Sequence, residues 1–519
     1  MVLAVQLQPG LVPWALQQKK SVSAKSKIGN GENAPNAVDY DAPNSNPPAT
    51  DQSKTETASK AVSANDPNAS LVKASTIFGS ESADSSRNDD EGLIPSPFRT
   101  ESLPADSVET DEKRPSSVSV PAIQIVNGKS YSSLEAACAE ASEIGSVTII
   151  ELRYNGLREP ERPIRLINKK IVIRAVDGYR PIIRFSVADT YSDSTSPHMI
   201  TVAGGSLDLE KVDLVMNVPN RFKGDRWALF SLERAEKVQL NLVNLTLDNP
   251  HNNPACAFEQ RASAGRGLEG MGIKNDGMPV VPPELLLTNS LVRGNGDFIV
   301  MQDPVAARFD LKDVAIGLDG NLLQVKLVTE SLGAERESIS LELDHVTFRF
   351  GQSLISVEGT GGATEKLPKI FVFARNNILS CGRDQTTARD QLSNRNQAMI
   401  SMRGLAEFMD FQKSFSWRGN LNFYDRLETF VELSLTQPYG IRQLEYADWK
   451  SLTNEGVGSS NQNQAVVWKS KWSEKSYANL TDVNFALAAE SQPAGKGASD
   501  GNAAGVTLEK LPPAPRSVD

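Results

Sequence analysis

A short phrase of alternating apolar residues recurs along the centre of the chain and constrains the fold more than any other feature. Its first copy has Leu207 and Leu209, then an extra residue, then Val212 and Leu214. Because side chains alternate faces along a strand, the phrase predicts a strand, a bend and a second strand. The later copies are Leu240, Leu242, Leu245, Leu247; Leu285, Leu287, Ser290, Val292; Phe309, Leu311, Val314, Ile316; Leu341, Leu343, Val346, Phe348; and Phe371, Phe373, Asn376, Ile378.

The spacing of these copies predicts stacked supersecondary units. Successive copies begin 33, 45, 24, 32 and 30 residues apart, and self-similarity at such a period is typical of repeats that bury a core only together. Most copies are followed by another short apolar run, so each unit holds three strands and no helix. These runs are 228–232, 298–301, 322–325, 354–357 and 398–402. The pattern favours an all-β, parallel β-helix solenoid over a propeller, whose blades need about four strands per 40–50 residues.

A short helix is predicted where the ordered part begins. Ser132 and Glu135 have the spacing of a capping box, and Leu134, Ala137 and Cys138 follow at helical spacing until Gly145. Three β-branched runs come next. A helix in this position would cover the exposed end of the first repeat.

The N-terminal 120 residues have the composition of a disordered arm. They contain 16 Asp and Glu against 11 Lys and Arg, few aromatic residues, and abundant Ser, Asn and Pro. Such a segment cannot bury enough apolar surface to offset its ordering entropy. The predicted organisation is therefore an arm at 1–120, a β-helix domain at 121–490 and a Gly/Pro-rich tail at 491–519. The net charge of −10 argues against nucleic acid or an anionic membrane as partner.

Neither the N-terminal residues nor the cysteines identify a compartment or a disulfide framework. Residues 1–16 are apolar but have no positive n-region before them and contain Pro9 and Pro13, so they are not a convincing signal peptide, and no stretch has transmembrane length. The compartment stays open, with the cell envelope as the hypothesis. The three widely spaced cysteines, Cys138, Cys256 and Cys381, are predicted to be buried small residues.

Three stretches carry a resemblance to a known superfamily. Residues 127–156 (NGKSYSSLEAACAEASEIGSVTIIELRYNG) and 169–185 (KKIVIRAVDGYRPIIRF) resemble the first turns of the right-handed, single-stranded parallel β-helix of pectate-lyase-like proteins. The Gly-rich stretch from Val483 to Val506 is similar to the closing segment of bacterial members. The resemblance implies this fold for about residues 123–506. It does not imply one activity, because the scaffold hosts lyases, hydrolases, esterases and inactive proteins.

The sequence contains no complete set of catalytic residues of the esterase, hydrolase or lyase type, so no catalytic residue is predicted. Asp297, in Asn-Gly-Asp-Phe-Ile, resembles an esterase core, but the expected upstream Gln and second Asp have no counterpart. A hydrolase set needs clustered carboxylates and a His, whereas the three histidines lie in unrelated contexts. Calcium is expected only under a lyase alternative, and otherwise no cofactor or metal is expected. The lyase candidates are Asp189, Asp193, Asp213, Asp319 and Arg293.

Two functional hypotheses remain. The first is a non-catalytic β-helix module that binds a polysaccharide or a protein surface. The alternative is a polysaccharide lyase, hydrolase or esterase. Loops that follow equivalent strands should share one edge, where arginine forks and a flat aromatic ring suit sugar hydroxyls and carboxylates. The predicted ligand-binding residues are Arg226, Trp227, Arg293, Asp297, Asp319, Arg349, Arg383 and Asp384. The alternative location is the edge that holds Glu259, Arg261 and Asp276 in the long 249–284 loop.

Overall fold

The structure is a computed structural model, and it describes most of the chain beyond residue 121. The described ranges are 122–142, 145–186, 196–220, 226–261, 282–302, 305–327, 338–359, 367–381, 397–453, 460–461, 466–470, 476–495 and 497–513. The arm predicted at 1–120 lies outside them.

The described residues are mostly β-strand, which confirms the all-β prediction. The strands in the first half are β1 Ile123–Ile125, β2 Ser130–Tyr131, β3 Val147–Leu152, β4 Gly156–Leu157, β5 Ile164–Ala175, β6 Pro181–Ser186, β7 His198–Glu210, β8 Asp213–Asn217, β9 Trp227–Glu233, β10 Lys237–Asn241, β11 Asn244–Asp248, β12 Ala255–Gln260 and β13 Glu284–Gly294. Those in the second half are β14 Asp297–Met301, β15 Ala307–Leu318, β16 Leu323–Lys326, β17 Ser338–Phe350, β18 Ile355–Glu358, β19 Lys369–Arg375, β20 Ile378–Cys381, β21 Ala398–Leu405, β22 Phe415–Asn420, β23 Phe423–Asp425, β24 Thr429–Thr436, β25 Tyr439–Leu444 and β26 Ser460–Asn461.

Short helices complete the described elements. The α-helices are α1 Leu134–Glu140, α2 Phe408–Ser414 and α3 Tyr446–Leu452, and the 3₁₀ helices are Tyr477–Asn479, Asp482–Phe485, Gln492–Ala494 and Leu508–Lys510.

Most strands pair in parallel with the equivalent strand of the next repeat, and the pairs form three ladders. The first ladder contains β3, the second halves of β5 and β7, β10, the first halves of β13, β15 and β17, then β19 and β22. The second contains β4, β6, β8, β11, the second halves of β13, β15 and β17, then β20, β23 and β26. The third contains the first halves of β5 and β7, then β9, β12, β14, β16, β18, β21 and β24.

The register confirms most copies of the apolar phrase and corrects two of them. Leu209 pairs with Leu240, so the second copy begins at Val238, two residues earlier than predicted. In the last copy Val372 pairs with Leu341, so Phe371 and Phe373 point outward. The predicted register was wrong by one residue because residues 370–374 are apolar on both faces of the strand. A shift of one residue exchanges the inward and outward faces.

The bend in each phrase is a single residue in left-handed conformation. The residues Lys211, Leu242, Asn289, Asp313, His345, Asn376 and Leu421 have φ between 49° and 59° and follow one another in register. One left-handed residue turns the chain between the first and second ladders, at a cost that Asn and Asp reduce. Behind the bend, the Asn377 amide donates to Asn422 Oδ1 at 2.9 Å, and the Val346 N–H donates to Asn377 Oδ1 at 2.8 Å.

Helix α1 covers the start of the ladders, as the sequence predicted, but its cap differs by one residue. Ser133, not Ser132, is the N-cap, and its hydroxyl accepts from the Ala136 N–H at 3.2 Å. Glu161 accepts from the Leu134 N–H at 3.0 Å, and Lys169 donates to the Cys138 carbonyl at 2.9 Å. Side chains from the first repeats therefore hold both ends of this helix.

The opposite end is closed by an antiparallel strand and an aromatic cluster. Strand β25 pairs antiparallel with β24. Trp449 of α3 is fully buried and packs edge-on against Trp417, with ring centroids 5.3 Å apart. The three cysteines are buried and form no disulfide, as predicted.

The C-terminal residues pack along the outer face of the second ladder. Leu480, Val506 and Leu511 contact the outward-facing Leu291 and Ala315, and Ala504 packs with Ile378 and Phe423. The described part of the predicted tail at 491–519 is therefore in contact with the sheet.

Candidate functional site

Two of the predicted site residues, Arg226 and Asp297, form an ion pair at the N-terminal ends of two strands of the third ladder. Asp297 is the first residue of β14, and its Oδ1 also accepts from the Asn321 backbone N–H at 2.8 Å. Arg226 precedes β9 and donates through its second terminal nitrogen to Gln324 Oε1 at 2.9 Å. Both charged side chains are about nine-tenths buried, at 10% exposure each. The pair therefore ties together residues from several successive repeats.

A second polar group surrounds Glu259 on the same outer face. His198 Nε2 lies 2.8 Å from Glu259 Oε2, Arg261 Nε donates to the same oxygen at 2.8 Å, and Gln302 donates to Oε1 at 3.0 Å. Glu259 is fully buried. Burial alone would raise the pKa of Glu259, but the hydrogen bonds from His198, Arg261 and Gln302 outweigh it and lower the pKa to about 2.

These two groups are together called the outer polar cluster, and their two carboxylates, Glu259 and Asp297, lie on the adjacent strands β12 and β14. Cys256 on β12 pairs with Asp297 on β14 and is fully buried between them. Burial, with the Glu259 charge nearby, raises the pKa of the Cys256 thiol well above its ordinary value. A protonated thiol is a poor nucleophile, and Glu259 is held as a carboxylate rather than as an acid. The cluster therefore combines compensated charges with hydrogen-bond donors.

Trp227 and Asp319 stabilise the fold: Trp227 lies in the core and Asp319 holds a turn. Trp227 is fully buried among the core residues of the third ladder, so its ring offers no face to solvent. This differs from the predicted flat sugar-binding ring, and the reason is that β9 is buried along six of its seven residues. Asp319 accepts from the Gly296 N–H at 2.6 Å and so holds the turn that precedes Asp297.

Arg293 and Arg349 lie on the second ladder, not beside the outer polar cluster. Arg293 donates to the Leu480 carbonyl at 2.6 Å and to Thr246 Oγ1 at 3.0 Å. The Arg349 guanidinium lies 4.7 Å from the Trp468 ring centroid and is almost fully buried. Leu480 and Trp468, from the C-terminal part of the chain, thus cover the two arginines. The predicted residues were expected along one edge of loops, but the structure divides them between the second and third ladders. The remaining predicted residues, Arg383 and Asp384, fall outside the described residues.

The residues proposed for a calcium-dependent lyase are not gathered in what the structure describes. Asp213 is buried, pairs with Arg180 and accepts from Asn244 at 2.9 Å. Arg293 and Asp319 have the contacts given above, and Asp189 and Asp193 lie outside the described ranges. Across those ranges no group of three or more His, Cys, Asp or Glu is arranged to hold a metal ion.

A third feature was missed by the sequence reasoning, because its residues were assigned to the core. Phe371 and Phe373 lie on the outer face of the first ladder with exposures of 36% and 40%. The Arg418 guanidinium lies 5.6 Å from the Phe373 ring centroid. Arg375 follows on the same face with an exposed side chain and donates to Asp344 at 2.9 Å. We call Phe371, Phe373, Arg375 and Arg418 the aromatic platform. The signal that could have shown the platform is Asn376, a residue type that tolerates the left-handed bend. With Asn376 at the bend, Phe371 and Phe373 lie on the outer face.

Comparison of the chain with known protein families, with curated proteins and with solved structures gives no match. None of the helices in the described part of the chain is both long and apolar enough to cross a lipid bilayer. The outer polar cluster and the aromatic platform are therefore the features from which we infer a function.

Proposed function

We propose that the described residues form a right-handed parallel β-helix of the pectate-lyase-like class. Three parallel ladders support this, because most strands pair with the equivalent strand of the next repeat rather than with their sequence neighbour. The stacked left-handed bends support it as well, since they turn every phrase by the same local conformation.

We further propose that the protein is a non-catalytic module that binds a polysaccharide on the aromatic platform. The single observation that carries this proposal is the exposure of Phe371 and Phe373 side by side on a sheet face. Two large apolar rings exposed together are costly in water and typical of binding surfaces. Phenyl rings can stack on the apolar faces of pyranose rings, while Arg375 and Arg418 donate to hydroxyls and carboxylates.

The charge pairing of the outer polar cluster favours binding over general acid catalysis. Asp297 is paired with the Arg226 cation and Glu259 with the Arg261 cation, and His198 Nε2 is hydrogen-bonded to the same Glu259 carboxylate. A catalytic acid needs a pKa near the working pH, whereas the pKa of Glu259 is lowered to about 2. The cluster fits a structural role that stiffens the third ladder.

A glycan array probed with the full-length chain tests the proposal, with parallel assays for new reducing ends and for unsaturated uronides. We expect binding without product. The double variant Phe371→Thr/Phe373→Thr keeps strand propensity and should weaken binding about tenfold or more.

The matched control is Lys237→Ala/Gln239→Ala, which alters the same face of the same ladder on β10. The control should bind like the parent. Binding that survives loss of both phenylalanines would move the site elsewhere, and product formation would establish an enzyme instead.

A further inference from the structure

The C-terminal residues 497–513, called the C-terminal strap, run back along the bends of three stacked strands. The Ser499 N–H donates to Asn376 Oδ1 at 2.9 Å, and the Gly505 N–H donates to the Asn376 carbonyl at 2.7 Å. The Val506 N–H donates to Thr347 Oγ1 at 2.9 Å. Each contact lies at a bend or two residues beyond it, so the strap docks along the row of left-handed bends.

One bend farther along, Asp313 binds the strap through two side chains. Thr507 Oγ1 donates to Asp313 Oδ1 at 3.0 Å, and Lys510 Nζ donates to Asp313 Oδ2 at 2.8 Å. The strap ends near β11, where the Asn244 amide donates to the Pro513 carbonyl at 2.9 Å. Its apolar residues cover Leu291 and Ala315, which face outward from the sheet.

His345 occupies the bend between Asp313 and Asn376 and faces the strap from the same line. Its Nδ1 lies 3.0 Å from Asp344 Oδ1, and its Nε2 lies 3.5 Å from Oδ2 of Asp500 on the strap. The His345 side chain is 9% exposed, and its Nε2 makes no hydrogen bond with the described residues. A proton on Nε2 would therefore point a cation at the strap carboxylate.

We propose that His345 is a proton-dependent latch: its protonated imidazole holds Asp500 and keeps the C-terminal strap docked, and loss of the proton loosens the strap. Loosening uncovers the apolar outer face of the second ladder. This goes beyond the proposed polysaccharide binding, which uses the first ladder.

The charged groups around the ring set the direction of the effect. Asp344 on the same strand, Asp500 on the strap and Asp313 on β15 are acidic, while Arg375 on β19 binds Asp344 and Lys510 binds Asp313. The hydrogen bond that Asp344 accepts from the ring, with the charges of Asp344, Asp500 and Asp313, raises the pKa of His345. A raised pKa in the docked state means that the latch is complete at low pH and is lost as the pH rises through that pKa.

Hydrogen exchange of residues 497–513 in the full-length chain tests the latch. Exchange is measured from about pH 5.5 to 8.5 and corrected for the intrinsic chemical rate. We expect strap protection to fall about two- to fivefold across this range, since Asp500 is partly exposed and such pairs are modest. A pH-independent protection factor in the parent chain would overturn the proposal.

Two variants and a control separate the latch from general effects of pH. His345→Asn keeps a residue that tolerates the left-handed bend, and Asp500→Asn removes the carboxylate from the exposed side. Both should abolish the pH dependence. Glu509→Gln alters an exposed carboxylate of the same strap and should retain it. Retention of the full pH dependence in Asp500→Asn would show that Asp500 is not the partner.

Discussion

Arg226 and Asp297 are 71 positions apart in the chain and form a nearly buried ion pair that spans β12, the third-ladder strand between β9 and β14. Asp297 also accepts from the backbone and side-chain amides of Asn321, both at 2.8 Å. One carboxylate thus joins the residue that precedes β9, the start of β14 and the turn before β16. The stability of the stack depends on such pairs being complete.

Removal of Arg226 should be strongly destabilising. In Arg226→Met the Asp297 carboxylate would stay buried without its cation, which costs about 3–5 kcal/mol of unfolding free energy. The measurement is equilibrium urea unfolding. Arg308→Met is the control, because Arg308 forms its ion pairs at 46% exposure and should cost less than about 1 kcal/mol. Equal losses in the two variants would contradict the buried pairing.

Glu259 should contribute an acid-dependent part of the stability. Its pKa is about 2 against an ordinary value of 4.5. A lowered pKa contributes stability that is complete above about pH 4.5 and is lost as the pH falls towards 2, with a total on the order of 3 kcal/mol.

The measurement is urea unfolding of the parent and of Glu259→Gln between about pH 2 and 6. The stability difference between them should shrink as the pH falls. Glu284→Gln, at a partly exposed position, serves as control and should follow the parent. A constant difference between the parent and Glu259→Gln would rule out the ionised, buried carboxylate.

Leu311 should be intolerant of charge. Its side chain is fully buried in the first ladder between Leu287 and Leu343. Leu311→Ala should cost about 2–5 kcal/mol, and Leu311→Asp should abolish cooperative thermal unfolding. The neighbouring Lys312 is exposed, and Lys312→Ala should melt like the parent in circular dichroism. A parent-like melt for Leu311→Asp would refute the inward assignment.

Gly294 should reject even a methyl group. It has φ of +126°, and a Cβ atom there would lie 2.1 Å from the Leu247 carbonyl oxygen. Gly294→Ala should therefore destabilise far beyond the cost of the backbone conformation. Gly501→Ala isolates that conformational cost, since Gly501 has φ of +84° with no atom within 4 Å of the added Cβ, and it should lose about 1–2 kcal/mol. Chemical denaturation of both variants compares them directly, and similar losses would show that the strands are farther apart at Gly294.

The sequence determined the strand phrase because period-two alternation is local. Leu207 and Leu209, or Leu341 and Leu343, lie within a few positions of each other, and one buried face is enough to identify the strand. The capping helix was predictable for the same reason, although the true N-cap is Ser133. In 370–374 both faces of the strand are apolar, so alternation could not show which face is buried. The predicted register was therefore wrong by one residue.

The tertiary structure alone decided which polar residues meet. Arg226 with Asp297 and His198 with Glu259 are brought together by the stacking of repeats, and repeat lengths vary too widely for sequence spacing to predict those neighbours. Arg293 and Arg349 are arginines of the kind that bind ligands. In the folded chain, however, residues far along the sequence cover them, because Leu480 contacts Arg293 and Trp468 contacts Arg349. A residue type describes what a side chain can bind, whereas the long-range packing of the chain determines whether solvent, a partner residue or a ligand reaches it.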